Sequence, residues 1–288
     1  MGPQFQEILT NLKGIICSTT REISMNNQVG KFYDEIGWKY TGQFSEDSII
    51  NENLHPAASE YVSKVRGRIQ EKIGKGASLL DVGCGPIQYP EYVSLSEEFD
   101  TRVCVDLSYE ALKLAKQKIG KRGLYLHGDF LNLEIAQYGP FDGAVLINVL
   151  YHIEKERQEM IVNKILKNLA PTGRLIVIYS NPKSVSAVFT RIGVLVKRMI
   201  KGKVKLDFSR NKNPIYFFQH NRAFWKRFNG IAKVEIFPWR TMNPQIEKLF
   251  FKNLFFAKHL FKILFEIEKI SSWGIFCEYY MVVLIKLD

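Results

Sequence analysis

The strongest constraint on the fold of this chain is the stretch LLDVGCGP at residues 79–86. Its apolar run ends at Val82, one residue after the carboxylate of Asp81, and glycines follow at positions 83 and 85. Short continuous apolar runs are typical of strands buried in parallel sheets. Glycine allows a tight turn and a close approach of the backbone to a bound group, and a helix after the turn directs free amide N–H groups to the same place. The stretch therefore predicts a strand, a ligand-binding turn and a helix.

Strand-like apolar segments alternate with helical segments along the chain. This alternation indicates a parallel sheet joined by crossover helices. We predict an α/β protein with a doubly wound, mostly parallel sheet of seven strands. Ligands of such sheets bind beyond the carboxyl ends of the strands, where the strand order reverses. The predicted strands are Ser78–Val82, Arg102–Val105, Leu124–His127, Phe141–Ile147, Arg174–Tyr179, Ala232–Phe237 and Glu278–Lys286.

Further elements are predicted outside this core, and they suggest a division into three parts. Residues 1–73 form a helical N-terminal segment, residues 74–182 the ligand-binding core, and residues 183–288 the remaining half of the sheet with helical insertions. The additional elements are an amphipathic helix within 1–30, helices His55–Ile73 and Ser184–Ile200, a short strand or hairpin at Ile215–His220, a helix Arg222–Phe228 and a Phe-rich helical stretch Asn243–Ile270.

Charge and cysteine content limit the function classes. The chain has a formal net charge of +11, and the segment 183–212 holds nine basic residues and one acid, Asp207, for a net +8. Such a segment is either a solvated surface or a binding surface for an anionic acceptor, a lipid surface or RNA, and as a binding surface it favours these over a neutral metabolite. Four scattered cysteines without a paired motif indicate a reduced, cytoplasmic protein without a metal site. No signal peptide pattern and no apolar run of membrane-spanning length is visible.

The 79–86 stretch resembles motif I of class I S-adenosylmethionine (SAM)-dependent methyltransferases, D/E-x-G-x-G-x-G. Asp81, Gly83 and Gly85 match, whereas the final glycine position holds Ile87. The resemblance implies a Rossmann-like fold, SAM as cofactor, and SAM contacts from Asp81 and the turn residues 83–86, which are Gly83, Cys84, Gly85 and Pro86.

Three later segments extend the resemblance in the order expected of that family. It implies that Asp106, with Leu107, binds the ribose, and that Asp129 accepts the adenine amino group while Phe130 packs on the base. From the strand block FDGAVLINVLYHI at 141–153, Asn148 faces the methionine end and His152 lies on the acceptor side. The aromatic segment 32–38 resembles a lid over the cofactor, to which Tyr33 contributes.

His152 is the candidate general base, because histidine titrates near neutral pH; a structural hydrogen-bonding role is the alternative. The predicted reaction is methyl transfer to an oxygen atom of an anionic small-molecule, saccharide or lipid-linked acceptor. No invariant catalytic dyad is expected, because the methyl donor is already activated.

Two other functions stay open at this point. An NAD-linked oxidoreductase would suit Asp106, although Gln88 occupies the third glycine position of the dinucleotide-binding motif. An RNA methyltransferase would suit the basic charge, although residues 148–151 lack the prolines typical of adenine-modifying enzymes. The Phe-rich stretch 243–270 fits either a lid over the acceptor or a peripheral membrane contact. The oligomeric state is left open.

Overall fold

A computed structural model describes residues 34, 40–41, 44–45, 56–184, 216–241, 254–270 and 276–288. Several predictions lie outside these residues: the helix within 1–30, Tyr33, almost all of the helix 184–200 and the basic segment up to residue 212. Two-residue strands at Tyr40–Thr41 and Phe44–Ser45 pair in antiparallel fashion before the main domain begins.

The described residues form a seven-stranded sheet with the order β3-β2-β1-β4-β5-β7-β6. The first five strands are parallel, β7 runs antiparallel to both of its neighbours, and the strand order reverses between β1 and β4. This confirms the predicted fold class. The strands are β1 Gly76–Val82, β2 Phe99–Asp106, β3 Gly123–His127, β4 Phe141–Ile147, β5 Leu169–Ser180, β6 Ala232–Arg240 and β7 Tyr279–Lys286.

Five α-helices accompany the sheet in the described part of the chain. Proline at the first position of α2 suits a helix start because its missing N–H would have no partner there. Ser108 caps α3, accepting from the Ala111 amide at 3.0 Å. The helices are α1 Pro56–Ile73, α2 Pro90–Ser94, α3 Tyr109–Ile119, α4 Lys155–Asn168 and α5 Leu254–Ile267.

Apolar side chains bury both faces of the sheet. On one face, α4 and a 3₁₀ helix at Arg222–Phe228 cover residues such as Leu80 and Leu146. On the other face, α1 and α5 cover Leu79 and Val145. The alternation of Leu79 and Leu80 between the two faces follows from the two-residue period of a strand. The carboxyl ends of β1 and β4 thus meet at an edge supported from both sides.

Two local predictions are wrong. Tyr216–His220 forms neither a strand nor a hairpin; it runs as an irregular segment, because its backbone bonds go to side chains and to the turn after β4. Strand β5 begins at Leu169, five residues before the predicted start, since Leu169 pairs with Phe141 across a register shift. The segment Arg222–Phe228 is helical as predicted, but of the 3₁₀ type.

Candidate functional site

The turn after β1 is fastened to the end of β2. The amides of Gly83 and Cys84 both donate to the Val105 carbonyl, at 2.7 and 3.2 Å. Gly83 has φ +68°, and a Cβ at that position would lie 2.6 Å from a methyl group of Val149 on the loop after β4. A side chain would therefore be excluded there by both backbone conformation and space. This close approach brings the loops after β1 and β4 together where the strand order reverses.

Ile87 occupies the position at which the sequence pattern predicts glycine. Its φ is +47°, in the left-handed region, and its side chain is 1% exposed. The side chain packs with Cys104, Leu112 and Ala115, and the Lys118 ammonium donates to its carbonyl at 2.9 Å. The loop thus follows a glycine-like path although the residue is β-branched, because burial of the side chain offsets the backbone strain.

Asp81 lies beneath the turn. It is 2% exposed, and its Oδ2 accepts from Nε of Arg102 at 3.0 Å as well as from Nη2. Burial raises the pKa of the Asp81 carboxyl, while the neighbouring Arg102 guanidinium opposes that rise. Arg102 also donates to the Tyr92 carbonyl and the Ser96 hydroxyl. This ion pair joins β1 to β2 and supports the turn from below, so direct cofactor contact by Asp81 stays a prediction.

Asp106 ends β2 with its carboxylate directed at the turn. Its Oδ2 accepts from the Gly85 amide at 2.8 Å, and its Oδ1 accepts from the Ser108 amide at 2.8 Å. Burial raises the pKa of Asp106 to about 6, the two amide bonds oppose the rise, and the negative charges of Asp81 and Asp34 add to it. Each oxygen keeps a second lone pair. The carboxylate can therefore accept further hydrogen bonds from a pair of ligand hydroxyls.

The residues after Asp106 contact two other parts of the chain. The carbonyl of Leu107 lies 3.0 Å from Nε2 of His127. Asp34, the residue after Tyr33, accepts from the Ser108 hydroxyl and from the Glu110 amide at the start of α3. Asp34 therefore lies beside the start of α3, next to the proposed ribose site, whereas Tyr33 lies outside the described residues.

Asp129 follows β3 and caps the short 3₁₀ helix Phe130–Asn132, accepting from the Leu131 amide at 3.0 Å. Its second oxygen forms an ion pair with Arg157 of α4. Phe130 is 5% exposed and belongs to the main apolar cluster. Its ring therefore packs in the core, and the stacking of this ring on a base stays a prediction.

Asn148 also has a left-handed backbone conformation. It has φ +60°, and its amide donates to the Ile178 carbonyl at 3.4 Å. Its side-chain Oδ1 is buried and has no hydrogen-bond partner among the described residues. A buried oxygen without a partner is costly, and backbone strain of this kind concentrates at functional sites. The position, one residue before the Val149 that contacts Gly83, fits an acceptor for a donor group on a ligand.

His152 lies at the end of the turn that follows β4. Its Nδ1 is 3.1 Å from the Tyr216 carbonyl, and its ring packs against Tyr151 and Phe217. Burial lowers the pKa of His152, while the bond to Tyr216 opposes the shift. The irregular segment 216–220 is held here by a second bond, from the Phe218 amide to the Tyr151 carbonyl at 2.8 Å.

One group of ligand atoms near the turn could hold a metal by distance alone. The side-chain donors of Asp81, Cys84 and Cys104 lie within 4.8 Å of one another. However, the contact with Cys104 and burial raise the pKa of the Cys84 thiol well above its usual range, and Asp81 is paired with Arg102. Thiols that stay protonated are poor ligands, and Cys84 and Cys104 pack with the apolar cluster that contains Ile87.

Comparison with known families identifies the domain. A family model described as a methyltransferase domain matches residues 80–177, which include every described candidate residue of the site. The chain carries a class I SAM-dependent methyltransferase domain. This confirms the predicted family, enzyme class and cofactor, and it decides against the NAD-linked alternative. No curated protein sequence matches the chain significantly.

Solved structures of methyltransferases share the fold. The N-methyltransferase NodS of Bradyrhizobium japonicum with S-adenosylhomocysteine (SAH) is 14% identical, with a TM-score of 0.50, 84% of this chain and 96% of that chain covered. The magnesium protoporphyrin IX methyltransferase of Synechocystis with SAH is also 14% identical, with a TM-score of 0.50 and coverage of 91% and 99%. A Haemonchus contortus phosphoethanolamine N-methyltransferase with SAM is 18% identical, with a TM-score of 0.50 and coverage of 90% and 60%. At these identities the likeness shows the fold.

The site of this methyltransferase fits the predicted cofactor chemically. Asp106 has a remaining lone pair on each carboxylate oxygen, and Asn148 has a buried oxygen without a partner among the described residues. The absence of a side chain at Gly83 leaves space beside them along one edge. Sequence reasoning missed Arg157, Lys164 and Asp34, which support the site from other elements, since nothing in the local pattern connects them to it. Among the described residues, no helix is both long and apolar enough to span a membrane.

Proposed function

We propose that this methyltransferase transfers the methyl group of SAM to a hydroxyl oxygen of an anionic small-molecule, saccharide or lipid-linked acceptor, with His152 as general base. The observation that carries the proposal is the contact between Nδ1 of His152 and the Tyr216 carbonyl. A carbonyl oxygen only accepts hydrogen bonds, so Nδ1 carries the proton and donates it. In the neutral ring, Nε2 then holds the lone pair that a base needs.

The pKa shift of His152 supports the same role. Because burial lowers its pKa, the ring is neutral at pH 7 and can accept a proton from a hydroxyl. The proton held on Nδ1 is stabilised by Tyr216, and this bond favours the charged ring that forms after proton transfer. A base with these properties contributes about 10²–10⁴-fold to the rate when it is correctly placed.

The remaining residues would position the cofactor. Asp106 would accept both ribose hydroxyls, Asp129 the adenine amino group, and Asn148 the amino group at the methionine end. SAM supplies an activated methyl group on a sulfonium. The protein's own task is therefore alignment and exclusion of water, and alignment alone can be worth about 7–11 kcal/mol.

The acceptor side is proposed from charge and from the packing of α5. The net +8 of segment 183–212 favours an anionic acceptor. In α5, Phe261 and Leu264 are buried against α1, whereas Lys258 and Lys262 are exposed. An apolar face already packed on the domain supports the lid interpretation over a membrane anchor, which would need that face free.

Product formation tests the proposal. Purified protein is incubated with SAM and a panel of phosphorylated sugars, lipid-linked acidic saccharides and RNA, and SAH release is measured. Turnover on a phosphorylated or acidic saccharide supports the proposal; turnover restricted to RNA supports the RNA alternative instead. Failure to bind SAM by calorimetry would overturn the cofactor sites.

Two variants of His152 then separate a base from a structural residue. His152→Asn keeps an N–H donor at the position of Nδ1, so it can still bond to the Tyr216 carbonyl, but it cannot act as a base. His152→Ala removes both properties. If His152 is the base, both variants lose about 10²–10⁴-fold in kcat with SAM affinity unchanged. Full activity of His152→Asn, with loss only in His152→Ala, would show that the residue is structural.

A further inference from the structure

The contacts of Asp129 involve a second residue that no sequence pattern connects to the cofactor. Arg157 lies in the first turn of α4, which follows β4, whereas Asp129 follows β3 at the edge of the sheet. The Nη2 atom of Arg157 donates to Oδ2 of Asp129, and its Nη1 lies 3.4 Å from Oε2 of Glu154. Arg157 thus ties the loop after β3 to the start of the helix after β4.

This ion pair is shielded from water. The side chains of Arg157 and Asp129 are 11% and 17% exposed, so the pair is far less screened than a surface salt bridge. Burial by itself would lower the pKa of Arg157, but the bonds to Asp129 and Glu154 outweigh it and raise the pKa. The guanidinium is therefore a permanent positive charge beside the Asp129 carboxylate.

Two hydrogen bonds, from the Leu131 amide and from Arg157, fix the orientation of the Asp129 carboxylate. The amide occupies one lone pair of Oδ1 and Arg157 occupies one lone pair of Oδ2. The group cannot rotate without breaking one of two charge-assisted bonds.

The same helix face holds the rest of this loop. Lys164, two turns after Arg157, donates to the carbonyls of Phe130, Leu131 and Leu133 at 3.0, 2.9 and 2.6 Å. The loop after β3 is therefore fixed at its start by Arg157 and along its length by Lys164. Both contacts act on the segment that carries the proposed adenine site.

We propose that Arg157 is a positioning residue that sets specificity for the 6-amino group of adenine by holding the Asp129 carboxylate in one orientation. The inference rests on the proposed cofactor role of Asp129. An ionised carboxylate accepts a hydrogen bond from an amino group and repels the carbonyl oxygen of a 6-oxopurine. Without Arg157, the contact that fixes Oδ2 of Asp129 is lost, and the preference for the amino group is reduced.

The test compares SAH with S-inosylhomocysteine, which differs in carrying a 6-oxo group. Both ligands are titrated calorimetrically into wild-type protein, Arg157→Ala, Arg157→Lys and Asp129→Ala, and unfolding temperatures are recorded alongside. We expect Arg157→Ala to weaken SAH binding about tenfold or more, while S-inosylhomocysteine binding changes by less than about threefold. Arg157→Lys, which keeps the charge and one donor, should restore part of the discrimination.

Two controls complete the design. Arg227→Ala removes an exposed arginine that pairs with Glu159 of α4, the helix that also carries Arg157. This variant should leave the ratio of the SAH and S-inosylhomocysteine affinities unchanged. In the Asp129→Ala background, removal of Arg157 should cause no further loss of discrimination, because Arg157 acts through Asp129.

The outcomes separate the inference from the proposed function. Equal weakening of both ligands in Arg157→Ala would show a general structural role and overturn the inference while leaving the SAM site intact. Tighter SAH binding in Arg157→Ala would show that Arg157 competes with adenine, which also overturns it. If wild-type protein binds neither ligand, the cofactor site itself is wrong and the inference falls with it.

Discussion

Substitution of Ile87 tests how the cofactor turn keeps a glycine-like path without the glycine. The structure combines a φ of +47° with a side chain that is 1% exposed. Two opposing effects are therefore present at one residue: a left-handed backbone that costs about 1–2 kcal/mol for a residue with a Cβ, and burial of the side chain, whose truncation to alanine costs about 2–5 kcal/mol.

The step from alanine to glycine isolates the backbone effect. At position 87, glycine relieves about 1–2 kcal/mol of strain. This gain is offset by the lost methyl group, about 0.8 kcal/mol, and by the greater freedom of glycine in the unfolded chain, about 0.5–1 kcal/mol. We therefore expect Ile87→Gly and Ile87→Ala to have nearly the same free energy of unfolding, both below that of the wild type.

A buried isoleucine in ordinary helical conformation is the matched control. Ile69 of α1 is fully buried. There the step from alanine to glycine should cost about 1 kcal/mol in helix propensity and about 0.8 kcal/mol for the methyl group. Urea unfolding of the four variants measures both steps. If the step costs about 2 kcal/mol at both positions, Ile87 is not strained and the reasoning is refuted.

Three further predictions concern the site and its support. Because burial raises the pKa of Asp106 to about 6, its carboxylate becomes protonated as pH falls below that value; SAH affinity should drop about tenfold at pH 5, and Asp106→Asn should flatten this pH profile, whereas an unchanged wild-type profile contradicts the ribose role. Asn148→Gly removes strain at φ +60°, so the free energy of unfolding should rise by up to about 1 kcal/mol while SAH affinity falls about tenfold; unchanged affinity would mean that the buried Oδ1 is not a ligand contact. Glu268 is 2% exposed and pairs with Arg68, so Glu268→Ala should destabilise the fold by about 3–5 kcal/mol, and a loss below about 1 kcal/mol in urea unfolding would show that the attachment of α5 does not depend on this pair.

The described part of α5 shows how the tertiary structure can favour one of two interpretations. The composition of residues 243–270 fits both a lid and a membrane anchor, because phenylalanine and lysine are interleaved in either case. In the structure, Glu268 accepts from the Tyr61 hydroxyl and from the Thr241 amide as well as from Arg68. These bonds join α5 to α1 and to the end of β6. Such long-range partners leave no signal in the local composition.

What the sequence by itself determined is local or periodic. The continuous apolar runs and their alternation with helical segments were sufficient for the sheet, and β4 was predicted at Phe141–Ile147, as the structure has it. The glycines at 83 and 85 and the acids at 106 and 129 were identifiable as candidate site residues because each lies at or just after the end of a strand. The carboxyl ends of parallel strands share one edge.

Only the tertiary structure decided what each side chain does at that edge. Asp81 and Phe130 matched the family pattern, yet one is paired with Arg102 and the other lies in the core. Arg157 matched no pattern, yet it contacts Asp129. The physical reason is that the partners of a buried charge or ring are set by packing between elements distant in sequence. A local motif specifies where the backbone turns, whereas the surrounding fold specifies which atoms are left for a ligand.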